Sequence, residues 1–227
     1  MGAGPLADNA PMPGTDPTSA PLMPDTLQWL PDPATTPGRP EQLMLLLHGW
    51  GASAADMAPL ATTLRRAFPQ AALLAPEGFE PVDGGVLSGR QWFSLAGVTE
   101  DNRPERVAAV LPRLADWVRA AQQASGVGPA ATALVGFSQG AILALELAQR
   151  HDGLAGRVLS FAGRYARLPE APLAQTTLHF FHGATDTVIP AQQSRLAMQR
   201  LGELHGDATI DIASGVGHAL PPVLMDC

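Results

Sequence analysis

The chain of 227 residues has very little cysteine, and its one thiol, Cys227, stands at the last position. A single cysteine excludes an intrachain disulfide and leaves no set of cysteine and histidine ligands for a structural zinc ion. Long apolar runs are absent as well, since no stretch approaches the roughly 20 apolar residues that span a bilayer. The first residues lack the basic and apolar regions of a secretory signal, so we expect a cytoplasmic protein.

Positive charge is also scarce. The 14 Lys and Arg residues stand against 21 Asp and Glu residues, which gives a net charge of −7. Because phosphate binding requires clustered basic side chains, and those of this chain are scattered, the composition argues against a nucleic-acid partner. The apolar fraction of 46% is ordinary for a globular protein that buries a sizeable core.

Proline divides the chain into two parts. Ten of the 22 prolines lie in the first 40 residues, where they oppose the formation of helices and of strand ladders. We therefore expect a flexible, proline-rich N-terminal arm over residues 1–22, followed by a single domain over residues 23–227. Residues 27–30, near the end of the proline-rich stretch, are expected to dock as an edge strand.

Beyond residue 40, short apolar strands alternate with amphipathic helices. Strands are predicted over residues 43–47, 72–75, 131–135, 158–161, 178–181 and 209–212, and helices over residues 53–68, 104–123, 139–150 and 190–204. Helices of this length between strands imply parallel pairing through right-handed crossovers. The predicted fold class is α/β, with a mostly parallel central sheet and helices on both faces.

A nucleophile motif stands between a predicted strand and a predicted helix. Residues 136–140 read Gly-Phe-Ser-Gln-Gly, which matches the pattern G-x-S-x-G. The pattern alone could be an ordinary Gly-Ser turn, but a strand before it and a helix after it form the setting of a nucleophile elbow. In so tight a turn Ser138 takes a strained backbone conformation, and Gly136 and Gly140 remove side chains that would collide with neighbouring elements.

A serine hydroxyl needs a base and a carboxylate that orients the base, and in this fold the acid and then the histidine follow the serine along the chain. His218 lies in a glycine-rich loop after the last predicted strand, and Asp186 lies in the loop after the preceding strand. Both loops fall at the carboxyl ends of strands, where an open α/β sheet places its chemistry. We therefore predict a catalytic triad of Ser138, Asp186 and His218.

The competing residues are placed differently along the chain. His179 and His182 belong to a predicted strand or end it, and both are expected to pack or to lie in a loop. His205 stands at a helix C-terminus, where a surface position is favoured. Asp207 precedes the last strand, at the opposite end of the sheet, and Asp211 is expected to face solvent within that strand.

Two backbone N–H groups should stabilise the oxyanion of acyl transfer. One is the N–H of Gln139, the residue after the nucleophile, at the start of a helix. The other is expected from the loop that follows residues 43–47, where Trp50 is predicted to supply it. His48 belongs to the same loop and is expected to order it through hydrogen bonds rather than to act as the base.

These motifs together resemble those of the phospholipase/carboxylesterase family, which includes the acyl-protein thioesterases. The matching segments are residues 46–49 (LLHG), 89–94 (GRQWFS), 99–103 (TEDNR), 125–128 (SGVG), 136–142 (GFSQGAI) and 163–166 (GRYA). The resemblance implies an α/β-hydrolase, without cofactor or metal, that hydrolyses short-to-medium acyl esters. It also implies that Trp92 and Phe93 lie beside the active site and line the substrate pocket, with packing in the core as the alternative.

Several alternatives stay open at this point. Thioesters or lysophospholipids are alternative substrates, and a non-catalytic binding protein on the same fold is an alternative function. Members of the family continue after the histidine into a C-terminal helix, whereas here Pro221 and Pro222 are expected to prevent a regular helix. We expect the sheet surface that this would leave uncovered to be covered by the N-terminal arm or by a second subunit in a homodimer.

Overall fold

A computed structural model describes residues 25–34, 36–85 and 88–225 of the chain. The predicted arm over residues 1–22 and the thiol of Cys227 lie outside the described residues. The strands, in chain order, are β1 (Thr26–Trp29), β2 (Gln42–Leu47), β3 (Ala71–Pro76), β4 (Glu80–Pro81), β5 (Arg90–Gln91), β6 (Thr132–Phe137), β7 (Arg157–Phe161), β8 (Thr177–Gly183) and β9 (Ala208–Ala213).

Seven of these strands form one central sheet in the order β1-β3-β2-β6-β7-β8-β9, and β4 pairs with β5 in a separate two-stranded sheet. All neighbours from β3 to β9 are parallel, whereas β1 runs antiparallel to β3 at the edge, with Leu27 opposite Ala75. The predicted mostly parallel sheet and the predicted edge strand are therefore confirmed. Because the strands are parallel, the loops after β2, β6, β8 and β9 meet at the same edge.

The helices lie on both faces of the central sheet. They are α1 (Ala58–Ala67), α2 (Arg103–Ser125), α3 (Gln139–Arg150), α4 (Gln192–Glu203) and α5 (Pro222–Met225). Buried residues of α2, α3 and α4 share one hydrophobic cluster with Leu43, Leu45 and Leu47 of β2. Met44 and Leu46 point to the other face and belong to the cluster that α1 and α5 complete. This alternation explains why β2 reads as a continuous apolar run, since both of its faces are covered.

The helix predicted over residues 53–68 is divided in two. Residues Ala54–Met57 form a 3-10 turn, and α1 begins only at Ala58. Ser53 occupies the N-cap position as predicted, and the Asp56 carboxylate three residues later accepts both its N–H and its hydroxyl at 2.8 Å. The division has a local cause: Pro59 has no N–H to donate to the carbonyl four residues earlier, so regular α-helical bonding starts only after it.

We expected Pro221 and Pro222 to prevent a helix near the end of the chain, and this expectation is wrong, because a helix of a single turn forms there. The short helix α5 begins at Pro222, and a proline is tolerated at the first helical position, where its missing N–H has no partner in any case. Leu224 of this turn is buried on the α1 side of the sheet. A groove of about 1030 Å³ lies beside it on the same face, lined in part by Leu159 and Phe181.

Candidate active site

The residue Ser138 occupies a sharp turn between β6 and α3. Its backbone lies at φ 53° and ψ −115°, a conformation that L-residues rarely adopt, and its N–H donates to the carbonyl of Phe161 at 2.9 Å. A Cβ atom at Gly136 would overlap the carbonyl of Gly140, and one at Gly140 would overlap the carbonyl of Leu47. The strained turn and the need for both glycines are therefore confirmed.

The structure brings the three predicted triad residues into one hydrogen-bonded chain. His218 places Nε2 at 2.8 Å from the Oγ of Ser138 and Nδ1 at 2.7 Å from the Oδ2 of Asp186. Since an ionised carboxylate only accepts hydrogen bonds, the imidazole proton lies on Nδ1. The unprotonated Nε2 then accepts the hydroxyl proton of Ser138, which is the arrangement that a nucleophilic serine requires.

The carboxylate of Asp186 is buried and fully engaged. Its Oδ1 accepts the N–H groups of Val188 and Ile189 at 2.8 and 2.9 Å, while Oδ2 faces His218. Burial is the largest influence on its pKa and opposes ionisation, but the hydrogen bonds from His218 and the two N–H groups together outweigh it. The pKa of Asp186 is lowered as a result, and the group is a carboxylate at neutral pH.

The loops that carry Asp186 and His218 are tied to each other. Thr185, next to the aspartate, donates both its N–H and its hydroxyl to the carbonyl of Val216, at 2.9 and 2.8 Å. The imidazole of His218 packs against the ring of Phe137, with the ring centroids 5.0 Å apart. These contacts fix the distance between the base and its orienting carboxylate.

The loop after β2 passes directly beside the nucleophile. A Cβ atom built on Gly49 would lie 3.3 Å from the Cβ of Ser138, so the backbone of the residue before Trp50 passes close to the nucleophile. Gln139 is the first residue of α3, where an N–H has no intrahelical acceptor. Both predicted oxyanion donors thus lie in the expected segments, and their action on an oxyanion stays a prediction.

His48 orders this loop, as predicted. Its Nε2 accepts the N–H of Gly78 at 2.9 Å, so the proton lies on Nδ1, which donates to the carbonyl of Gly49 at 2.7 Å. The side chain is fully buried, and burial lowers the pKa of His48 despite the partly opposing influence of this hydrogen bond. A neutral imidazole therefore braces the loop that carries Trp50.

The two aromatic residues expected near the substrate are buried in the core. Trp92 is 0% exposed, and its Nε1 donates to the carbonyl of His48 at 2.9 Å. Its ring lies edge-on to that of Phe79, with the centroids 5.2 Å apart. Phe93 is also buried. Their burial favours the core-packing alternative, in which Trp92 supports the loop that carries His48 and Trp50.

The side chain of Gln139 has a structural part that the sequence reasoning missed. Its Oε1 accepts the N–H of Trp92 at 2.9 Å, and its Nε2 donates to the carbonyl of Phe93 at 2.8 Å. The buried amide therefore ties the Trp92–Phe93 segment to the start of α3. The sequence assigned only the backbone of Gln139 to the site, although a polar residue at a buried elbow is itself a signal for such a partner.

The competing acids and two of the competing histidines lie away from the triad. Asp207 accepts the hydroxyl of Thr177 at the opposite end of the sheet, and Asp211 is exposed on β9, as expected. His205 is exposed after α4, and His179 contacts the hydroxyl of Thr209. His182 is the exception. It is buried as expected, but its Nε2 lies 3.3 Å from the Oδ2 of Asp186.

Comparison with protein families gives a match over most of the chain. Residues 34–227 match the family model described as Phospholipase/Carboxylesterase. The chain is 45% identical to Esterase YpfH of Escherichia coli (strain K12) over 186 residues, which cover 82% of this chain and 79% of that esterase. It is 28% identical to Acyl-protein thioesterase 1 of Eremothecium gossypii over 205 residues, covering 80% of this chain and 83% of that protein.

Solved structures match the fold in the same way. The crystal structure of esterase PE8 superimposes with a TM-score of 0.76 at 28% sequence identity, covering 89% of this chain and 94% of that one. The fold class is therefore the α/β-hydrolase type that the resemblance implied, built on the parallel sheet that the alternation of strands and helices predicted.

Proposed function

The chain belongs to the phospholipase/carboxylesterase family, and we propose that it is a serine carboxylesterase that hydrolyses short-to-medium acyl esters through Ser138, His218 and Asp186. One observation carries the proposal: the hydroxyl of Ser138 lies 2.8 Å from the unprotonated nitrogen of an imidazole whose other nitrogen is held by a buried carboxylate. A non-catalytic binding protein does not need this arrangement. In such a protein the strained backbone of Ser138 would lower the stability of the fold without contributing to function.

Acylation begins when Ser138 attacks the ester carbonyl and Nε2 of His218 takes the hydroxyl proton. The charged imidazolium that forms is stabilised by Asp186, and the N–H groups of Gln139 and Trp50 stabilise the oxyanion. Collapse of the tetrahedral intermediate expels the alcohol, which receives the proton from His218, and leaves the acyl group on Ser138. Water then attacks the acyl-enzyme with the same imidazole as base and releases the acid.

The proposal is tested by hydrolysis of p-nitrophenyl acetate, butyrate, octanoate and palmitate by the wild type and by Ser138→Ala. Loss of the nucleophile should lower kcat by a factor on the order of 10⁶. We expect turnover to be highest for the shorter chains, because the proposed substrates are short-to-medium acyl esters.

The matched control is Ser214→Ala, which removes an exposed hydroxyl from the loop that carries His218. This variant should turn over all four esters like the wild type. Equal activity of the wild type and Ser138→Ala, or no activity in either, would refute the proposal and favour the binding-protein alternative.

Thioester hydrolysis is the second candidate, because an acyl-protein thioesterase is among the relatives. Butyrylcholine and butyrylthiocholine differ in one atom and separate the two activities. An esterase hydrolyses both through the same triad, whereas a kcat/KM that strongly favours the thioester would support the second candidate.

Location in the cytoplasm and assembly into a homodimer stay predictions. In the described part of the chain no helix is long and apolar enough to cross a membrane.

A further inference from the structure

A second histidine lies beside the same carboxylate oxygen of Asp186 that His218 contacts. His182, near the end of β8, is fully buried, and its Nε2 lies 3.3 Å from the Oδ2 of Asp186 and 2.7 Å from the carbonyl oxygen of Ile189. Its Nδ1 lies 2.7 Å from the hydroxyl of Ser194 in the first turn of α4. The mechanism proposed above gives this side chain no task.

The partners of His182 determine where its proton lies. Nε2 faces two groups that only accept hydrogen bonds, the Ile189 carbonyl and the Asp186 carboxylate, so Nε2 carries the proton. Nδ1 is then an acceptor, and the hydroxyl of Ser194 donates to it. Burial lowers the pKa of His182 in spite of its hydrogen-bonded and charged neighbours, and the imidazole is therefore neutral and has one defined tautomer.

The N–H of His182 lies beside both the backbone of Ile189 and the carboxylate of Asp186. Ile189 donates its own N–H to Oδ1 of Asp186 at 2.9 Å, while its carbonyl accepts from His182. Because the same imidazole nitrogen also lies 3.3 Å from Oδ2, one side chain contacts both the backbone of the turn and the carboxylate. Since Ser194 is 1% exposed, its hydroxyl is shielded from water that would compete for Nδ1.

We propose that His182, fixed by Ser194, is a positioning residue for Asp186: its Nε2 is hydrogen-bonded to the Ile189 carbonyl and lies 3.3 Å from Oδ2 of Asp186, so it holds the turn that carries the carboxylate. This inference rests on the proposed function, because it concerns the orientation of the same carboxylate. Without the N–H of His182, the carboxylate keeps its two backbone donors on Oδ1, but the carbonyl of Ile189 loses its donor and Oδ2 loses one of the two imidazole nitrogens beside it. The orientation of Oδ2 toward His218 is then less well defined.

Two substitutions at residue 182 separate positioning from the filling of space. Glutamine places its side-chain nitrogen at about the reach of Nε2, and asparagine reaches only as far as Nδ1. His182→Gln therefore keeps a donor for Ile189 and Asp186, whereas His182→Asn keeps a partner for Ser194 and loses that donor. We expect His182→Asn to lower kcat for p-nitrophenyl butyrate about tenfold with little change in KM, which is the order of magnitude of one lost hydrogen bond. His182→Gln should retain most of the wild-type kcat.

Ser194→Ala gives a milder test that removes a single oxygen atom. It should lower kcat in the wild type, because the imidazole loses the donor that holds its Nδ1 in place, and it should cause no further loss in His182→Asn. Thermal unfolding of each variant checks that it is folded at the assay temperature. Equal kcat in His182→Asn and His182→Gln, or additive losses on combining Ser194→Ala with His182→Asn, would overturn the inference.

The failure of the inference is distinguishable from failure of the proposed function. If the wild type is active, Ser138→Ala is inactive and the His182 variants behave alike, only the positioning role is wrong. If Ser138→Ala is as active as the wild type, the proposed function is wrong and the inference falls with it.

Discussion

Replacing Asp186 by asparagine tests the triad by a change of one atom. The Oδ1 position must remain an oxygen, because the N–H groups of Val188 and Ile189 donate to it at 2.8 and 2.9 Å. The amide nitrogen of Asp186→Asn is therefore forced into the Oδ2 position, at 2.7 Å from the Nδ1 of His218. Two N–H donors cannot face each other at this distance, so the substitution forces the imidazole of His218 to lose the proton on Nδ1.

The magnitude follows from the tautomer that His218 must adopt. Nδ1 has to accept from the new amide, which moves the imidazole proton to Nε2, opposite the hydroxyl of Ser138. A protonated Nε2 does not accept the serine proton, and the corresponding change in serine proteases costs about 10⁴ in kcat. We expect a loss of the same order, about 5 kcal/mol in the activation free energy, while the substituted side chain keeps both of its backbone hydrogen bonds.

The assay is the kcat for p-nitrophenyl butyrate, with Asp211→Asn as the matched control. Asp211 is an exposed acid on β9, and its conversion to asparagine makes the same change of charge away from the site. The control should have wild-type kcat, and thermal unfolding should show that Asp186→Asn is folded. A kcat in Asp186→Asn within about tenfold of the wild type would refute the tautomer argument, since the wrong tautomer alone should cost far more.

Two further predictions concern the stability of the fold. Gly140→Ala should destabilise the protein by at least about 2 kcal/mol, because its Cβ would overlap the Leu47 carbonyl. In the control Gly202→Ala, the new Cβ on α4 meets open space, so this variant should be more stable than the wild type by about 0.5–1 kcal/mol. Equal denaturation midpoints for the two variants would contradict the prediction. Burial raises the pKa of Glu146 above its ordinary value of 4.5, so the folded state holds this proton more tightly and that contribution to stability is lost as the pH rises through the raised pKa. Glu146→Gln should therefore raise the melting temperature at pH 8 more than at pH 4, and an equal gain at both pH values would count against it.

The elements that the sequence predicted are those in which a local pattern and the tertiary structure agree. The buried strands β2, β3, β6 and β8 are short apolar runs, and α3 begins and ends where the sequence analysis placed it. The triad could be predicted because chain order and strand order constrain each other: each partner of Ser138 must lie in a loop at the carboxyl end of a later strand.

The features that were missed lack such a pattern. Strands β4 and β5 have two residues each, too few to show an alternation, and they pair only with each other. The 3-10 turn before α1 has the same apolar spacing as a helix, and only the missing N–H of Pro59 separates the two. At residue 222 a proline was read as a helix breaker although it opens the helix, so the error concerned the position of the proline and not its chemistry.

His182 shows why a complete set of motif residues does not by itself define an active site. Along the sequence it is the last polar residue of a buried strand, and nothing in its spacing from Ser194, which lies in a helix beyond the next loop, indicates a contact. The contact exists because α4 packs against the sheet and brings its first turn to the end of β8. A chain with Ser138, Asp186 and His218 but an apolar residue at position 182 would match the same motif while leaving the Ile189 carbonyl without its donor and the carboxylate without the imidazole beside it. If positioning through His182 holds, the docking of α4 is therefore part of the catalytic apparatus, and substitutions that loosen this helix should lower kcat before they unfold the domain.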